Sequence, residues 1–212
     1  MPSARSAQTG IVTRRASLSR QAQPSRRVRP LSSAELAPAA AARAQLGSAP
    51  EVDKGLMLHV SIERQQLALY RDDELVLTTA VSTALRGPGE VNGSGCTPRG
   101  RHRIRLKIGV GCPAGAVFRG RRWTGEVYTA ALRAAAPERD WIHSRILWLT
   151  GCESGRNRGG LVDTLSRYIY IHGCPDSEPM GVPRSHGCIR MRNGDVIRLC
   201  ERVSAGCPVL ID

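Results

Sequence analysis

Aromatic residues are scarce in this 212-residue chain, at 4% of the total, and Phe118 is the only phenylalanine. The core must therefore rest on Val, Ile, Leu and Ala, with Trp123, Trp141 and Trp148 as the large fillers, a composition that suits packed β-strands. Long apolar runs are missing too. Nothing approaches the roughly 20 residues needed to cross a bilayer, which argues against stable membrane insertion. The one early apolar stretch, Ala37 to Ala42, is alanine and proline and is shorter than the roughly 7 to 15 residue core of a secretory signal. No recognisable signal peptide is present.

Acids are nearly absent from the first fifty positions, which hold eight arginines, no lysine and a single carboxylate, Glu35. That segment carries +7 of the net charge of +13, and residues 51 to 212 carry the other +6. It is rich in Ser, Ala, Gln and Pro and cannot bury enough surface to offset the entropy of ordering. Residues 1–52 are expected to form a disordered basic tail and residues 53–212 one domain of ordinary size. The Arg- and Ser-rich composition has transit-peptide character, weighed against a solvated linker or a start codon set too far upstream. Basic charge also raises nucleic-acid binding, but no aromatic stacking platform or recognition-helix motif supports it.

Strands dominate what the pattern shows. Leu56 to Ile62, Gln66 to Tyr70 and Leu75 to Ser82 alternate as a meander. Arg86 to Gly100, rich in Gly, Pro, Asn and Ser, reads as a long loop, followed by a strand from Arg101 to Ile108. Trp141 to Leu149 and Arg167 to His172 are further apolar runs, and Val209 to Ile211 is a closing strand. Asn193-Gly194-Asp195 opens one helix, in which Val196, Ile197, Leu199, Cys200 and Val203 recur at helical spacing. The class expected is mainly β, a sandwich or barrel-like pair of mixed sheets with one or two short helices.

Seven cysteines are many for a reducing compartment and an odd number for an oxidising one. A lone cysteine is more often a small buried hydrophobe than a reactive group. Cys188 differs in its company. It ends Ser185-His186-Gly187-Cys188, downstream of a strand-like run, Tyr168-Ile169-Tyr170-Ile171, that leads into His172 and Gly173. A thiol attacks carbonyls as its thiolate, so a histidine that takes the proton makes it a nucleophile. Cys188 is read as that nucleophile and His172 as its base. Gly187 permits an unusual backbone angle beside the thiol. With Cys188 free, the other six cysteines allow three bridges in 15 connectivities or none, and Cys200 and Cys207 flank a turn that one bridge would close.

The segment resembles the signature of the L,D-transpeptidase catalytic domain (YkuD type), in which an upstream His is followed, after a variable loop, by Ser/Thr-His-Gly-Cys and a hydrophobic residue. His172, Ser185, His186, Gly187, Cys188 and Ile189 match it. The likeness continues through Arg145-Ile-Leu-Trp-Leu-Thr-Gly, Asn157-Arg158-Gly159-Gly160, Asp163-Thr164 and the turn Thr97-Pro98-Arg99-Gly100, covering roughly residues 55 to 212. Some members carry Asn two positions after the cysteine, where this chain has Arg190.

The resemblance implies a mainly β catalytic domain over 53–212 that transfers acyl groups between peptidoglycan stem peptides through a Cys188 thioester, with the Gly173 carbonyl orienting His172. The bond attacked would join an L-centre to a terminal D-residue. It implies no cofactor, a monomer as the working unit, and a place in the periplasm or cell envelope. The Cys188 and Gly187 N–H groups are the oxyanion donors expected, because such donors stabilise the charge that develops on the carbonyl oxygen. His186 reads as either a polar contact of the thiolate or a structural histidine. Arg190 reads as either a clamp for a substrate carboxylate or a solvated cation. His59, His102 and His143 read as surface or half-buried residues. The same Cys-His pair would serve an L,D-carboxypeptidase or endopeptidase. A rival of another class is a structural zinc site, because His172-Gly173-Cys174 repeats the pattern of His186-Gly187-Cys188.

Overall fold

The computed structural model describes residues 55–212. The basic tail expected over 1–52 lies outside them. Ten strands run in the order β1 Leu56–Ser61, β2 Gln66–Arg71, β3 Glu74–Ala80, β4 Gly100–Ile108, β5 Ala116–Arg119, β6 Arg122–Val127, β7 Ile142–Gly151, β8 Tyr170–Gly173, β9 Ile189–Met191 and β10 Pro208–Ile211. Among the described residues two α-helices, α1 Ala130–Ala135 and α2 Asn193–Arg202, and a short 3-10 helix, Gly160–Val162, interrupt them.

All ten strands join in one mixed sheet. Its main path is β3-β2-β1-β10-β4-β7-β5-β6, and β8 and β9 branch from β7. The β1-β10 and β8-β9 pairs are parallel and the others antiparallel. This is the mainly β, mixed class that the alternation implied, and the first three strands form the expected meander.

Alternation along the strands divides the interior. Leu58, Val60, Leu67, Leu69, Ile104, Leu147, Leu149, Ile171, Ile189 and Met191 form the large core together with Val196, Leu199 and Cys200 from α2. Those three helical positions lie on one stripe, Asp195 sits in the first turn and Arg202 in the last, and both charges suit the helix dipole. A smaller cluster of Ala116, Phe118, Ile146 and Tyr170 occupies another face, and Cys188 packs at its margin. The odd positions of β8 and β9 thus feed the large core, and the even ones look toward the smaller cluster.

Several elements depart from expectation. The strand expected over 167–172 begins only at Tyr170, because Tyr168 adopts a left-handed φ of 57° that no ladder accommodates. β5 and β6 form a hairpin across Gly120 and Arg121, both at positive φ. The helix α1 starts from Thr129, whose hydroxyl accepts from the Leu132 N–H. β9 is three residues long and is held between β8 and a bridge to Ser82. All seven cysteines are free thiols, so Cys200 and Cys207, both buried, do not close the loop between them.

Candidate active site

β8 and β9 run parallel, with Ile171 opposite Ile189, His172 opposite Arg190 and Gly173 opposite Met191. Side chains alternate along each strand, so Ile171, Ile189 and Met191 enter the core while Tyr170, His172, Arg190 and the preceding Cys188 share the other face. The thiol and the imidazole therefore lie on the same face of neighbouring strands, with His172 two register positions beyond the one that Cys188 would oppose.

Backbone shapes this corner. Gly187 has φ 134°, a region closed to side chains, and a Cβ there would lie 3.3 Å from the Cys96 carbonyl oxygen. Ser185 Oγ donates to the Cys188 carbonyl at 2.5 Å and accepts from the Gly187 N–H at 3.1 Å. The second bond corrects the expectation for Gly187 as an oxyanion donor, because its N–H is already engaged. Thr97 Oγ1 donates to the Gly187 carbonyl at 2.9 Å and accepts from the Ala84 N–H at 3.0 Å, pinning the Thr-Pro-x-Gly turn to the cysteine motif. Asn157 holds the same turn from the other side through the Arg99 and Arg101 carbonyls, and Asp163 caps its own loop through the N–H groups of Gly159 and Ser166. These matched segments brace the site from outside it.

His172 is buried, and its Nδ1 lies 2.9 Å from the Gly173 carbonyl. A carbonyl only accepts, so Nδ1 carries the proton and Nε2 is left with a lone pair. Burial, seconded by the Arg190 charge, holds the imidazole below its ordinary pKa, against the pull of Asp140 and the Gly173 bond. Gly173 cannot be larger, since a Cβ would approach Asn193 Oδ1 to 2.7 Å and the His143 carbonyl to 2.8 Å.

Cys188 is half-buried, and its sulfur lies 3.5 Å from the Tyr168 carbonyl and 3.4 Å from the Tyr170 N–H. The S–H donates to the carbonyl, and the N–H points at the sulfur. Burial pushes the thiol up to about 12, the Asp140 charge adds to this, and the Tyr170 N–H, Arg190 and Arg167 oppose it. The resting pair is thus neutral thiol and neutral imidazole. The two backbone groups carry no signal in the sequence beyond the run leading to His172.

Arg190 is half-buried and reaches Asp140 at 3.0 Å, so its guanidinium already holds a carboxylate. Together with exposed His186 it lines a cavity of about 190 Å³, whose wall also includes Arg139, Asp140, Trp141, Cys174 and Glu178. Cys188 and His172 do not line that cavity themselves. His59 is half-buried and bonds Asp212 at 3.0 Å. The surface or half-buried reading of His102 and His143 is overturned, because both are completely buried. His102 bonds the Gly100 carbonyl and Thr164, whereas the two ring nitrogens of His143, packed against Tyr128 and Trp141, have no partner among the described residues. Burial lowers both histidines to about 4. Cys174 turns inward to the Met191 carbonyl, and no three metal-ligating side chains converge among the described residues.

The mixed sheet thus carries a thiol and a neutral imidazole on one face of two short parallel strands. The chain belongs to the L,D-transpeptidase catalytic domain family (YkuD), whose pattern matches residues 56–211, a family of enzymes that act on peptidoglycan. It is similar in fold to an L,D-transpeptidase from Mycobacterium smegmatis, at 19% identity over 74% of this chain and 58% of that one, with a TM-score of 0.47. An L,D-transpeptidase mutant from Enterococcus faecium gives 16%, 74%, 50% and 0.46. One from Xylanimonas cellulosilytica gives 18%, 82%, 68% and 0.44. The chain thus spans about half to two thirds of these neighbours. No curated protein sequence matches it.

Proposed function

We propose that residues 53–212 form a catalytic domain that transfers acyl groups between peptidoglycan stem peptides, with Cys188 as nucleophile and His172 as base. The observation that carries this reading is the placement of His172, its protonated Nδ1 on the Gly173 carbonyl and its free Nε2 on the face shared with Cys188. A thiol at about 12 is almost wholly protonated at neutral pH, so the proton leaves as the sulfur attacks. The S–C bond forms as the donor amide C–N bond breaks, and the proton held on Nε2 passes to the departing amine. A second stem-peptide amine then takes the acyl group from the thioester and releases the thiol. The Cys188 N–H is the remaining backbone candidate for the oxyanion.

His186 and Arg190 sit where substrate groups enter beside the cysteine, and Ser185, Gly187 and Gly173 shape the backbone around it. Neither a cofactor nor a second copy of the chain has a role in these steps, and the place of work is the cell envelope, specifically the periplasm where one exists. No helix among the described residues is long and apolar enough to cross a membrane.

Incubation with purified stem peptides and mass spectrometry of the products tests the reading. Cross-linked dimers support transfer, and shortened monomers alone mark the L,D-carboxypeptidase or endopeptidase outcome. Cys188→Ala is expected to abolish both products and Cys174→Ala to leave most turnover. Sustained turnover by Cys188→Ala overturns the assignment.

A further inference from the structure

Arg167 is a half-buried guanidinium with an unusual set of partners. It donates to the carbonyls of Gly89 at 3.1 Å, Glu90 at 2.7 Å and Cys96 at 2.7 Å, and to Ser94 Oγ at 3.3 Å. All four are neutral. The nearby Glu90 carboxylate is spent on Arg99 at 2.9 Å, and no carboxylate among the described residues ion-pairs with Arg167. Burying a cation among neutral acceptors, with only the Glu90 carboxylate shared with Arg99 nearby, leaves its charge without a direct ion pair, a costly state. The other arginine near the nucleophile, Arg190, is matched by Asp140.

The position of this charge is specific. The Cys96 carbonyl that receives the guanidinium is the group packed against Gly187, and the next residue, Thr97, bonds the Gly187 carbonyl. On its other side, Arg167 precedes Tyr168, whose left-handed backbone turns its carbonyl toward the Cys188 sulfur. Arg167 is thus joined to both backbone segments that enclose the thiol; its charge is supported by Cys96, Glu90 and, after them, Cys188, and it is the weakest of the groups that favour the Cys188 thiolate.

We infer that Arg167 is a positioning residue for the nucleophile: it clamps the 89–96 segment behind Gly187 and holds a positive charge that makes no direct ion pair near Cys188, where it favours the thiolate. The inference rests on the proposed role of Cys188. It gives the site an electrostatic component that the Cys-His pair alone lacks. Arg190 also favours the thiolate, but its charge is already paired with Asp140, which acts on the thiol in the opposite sense.

The test is the rate at which iodoacetamide alkylates Cys188 at pH 8, read on the peptide containing it by mass spectrometry so that the other six cysteines do not interfere. An opposite charge at close range shifts a pKa by about one unit or more, so Arg167→Met should slow this alkylation about tenfold, the factor that one unit carries. Arg167→Lys keeps the charge while losing the four-bond fork and should remain within about twofold of the parent, a change small on the scale of a pKa unit. A purely mechanical clamp gives the opposite sign: loosening the loop exposes the thiol, and both variants alkylate as fast as the parent or faster, which overturns the inference. Should Arg167→Met fail to fold in a thermal melt, Arg167→Gln, equally neutral but still able to donate to the loop carbonyls, takes its place: a loss of about tenfold supports the role of charge, and a rate at or above the parental value overturns it. Failure of the underlying reading looks different, because Cys188→Ala would then still cross-link stem peptides whatever Arg167 does.

Discussion

Ser185 and Cys188 are joined across the motif by a 2.5 Å bond from the hydroxyl to the Cys188 carbonyl, and the same oxygen accepts the Gly187 N–H. Serine here is the internal brace of the turn that delivers the thiol. Ser185→Ala leaves two buried backbone groups without partners, at a cost of about 1 to 3 kcal/mol each, and is expected to lower the urea midpoint and reduce kcat. Ser185→Thr keeps the hydroxyl and should restore most of both. Equal kcat in Ser185→Ala and the parent would show that the brace is dispensable.

The acid limb of the rate profile reports His172. As a base it must be neutral, and its folded pKa lies below the ordinary imidazole value of 6.5. Activity should therefore persist on acidification past 6.5 and fall only as pH drops through the lower folded value. A kcat/KM profile with its acidic midpoint at or above 6.5 would contradict a buried, neutral base.

His102 links stability to pH with a definite sign. Its pKa is about 4 in the folded chain, from burial, against 6.5 as the ordinary value. Above 6.5 both states are neutral and nothing is lost. Between 6.5 and 4 the unfolded chain takes up a proton that the folded one refuses, so stability falls, by about 3 kcal/mol over that window at 1.36 kcal/mol per unit. Urea unfolding at pH 7 and pH 4.5 should show the loss, and His102→Gln should reduce the pH dependence even if it lowers stability overall.

Gly173→Ala should be severe although alanine is small. The new methyl meets Asn193 Oδ1 at 2.7 Å and the His143 carbonyl at 2.8 Å, and strand backbone yields little. Overpacking of this kind costs about 1 to 3 kcal/mol, and the Gly173 carbonyl that holds His172 moves with it. A fall in kcat larger than the drop in thermal stability explains would show the displacement. Full activity would remove Gly173 from the positioning of the base.

Much of this architecture was legible in the chain because alternation is a local signal. Leu58, Val60, Leu67 and Leu69 announce the meander, and the stripe of Val196, Leu199 and Cys200 announces α2. The Cys188 motif and His172 were legible because residue types carry chemistry. What escaped depends on contacts distant in sequence. Ile189–Met191 is too short to read as a strand and exists through its neighbours. His143 sits in the apolar run from Trp141 to Leu149, and its burial against Tyr128 and Trp141 depends on tertiary contacts. The Tyr168 carbonyl, the Tyr170 N–H and the four acceptors of Arg167 are backbone or loop groups that no residue pattern encodes.

The shortness of β9 ties the chemistry to parity. Ile189 faces the hydrophobic interior and Cys188 the opposite side because they are consecutive residues of an extended chain. Slippage of a strand by a single position exchanges its faces. Adding one amino acid between Cys188 and Ile189 would turn the sulfur toward the greasy layer while isoleucine keeps its place, whereas length changes in the segment between Gly173 and Ser185 leave that orientation untouched.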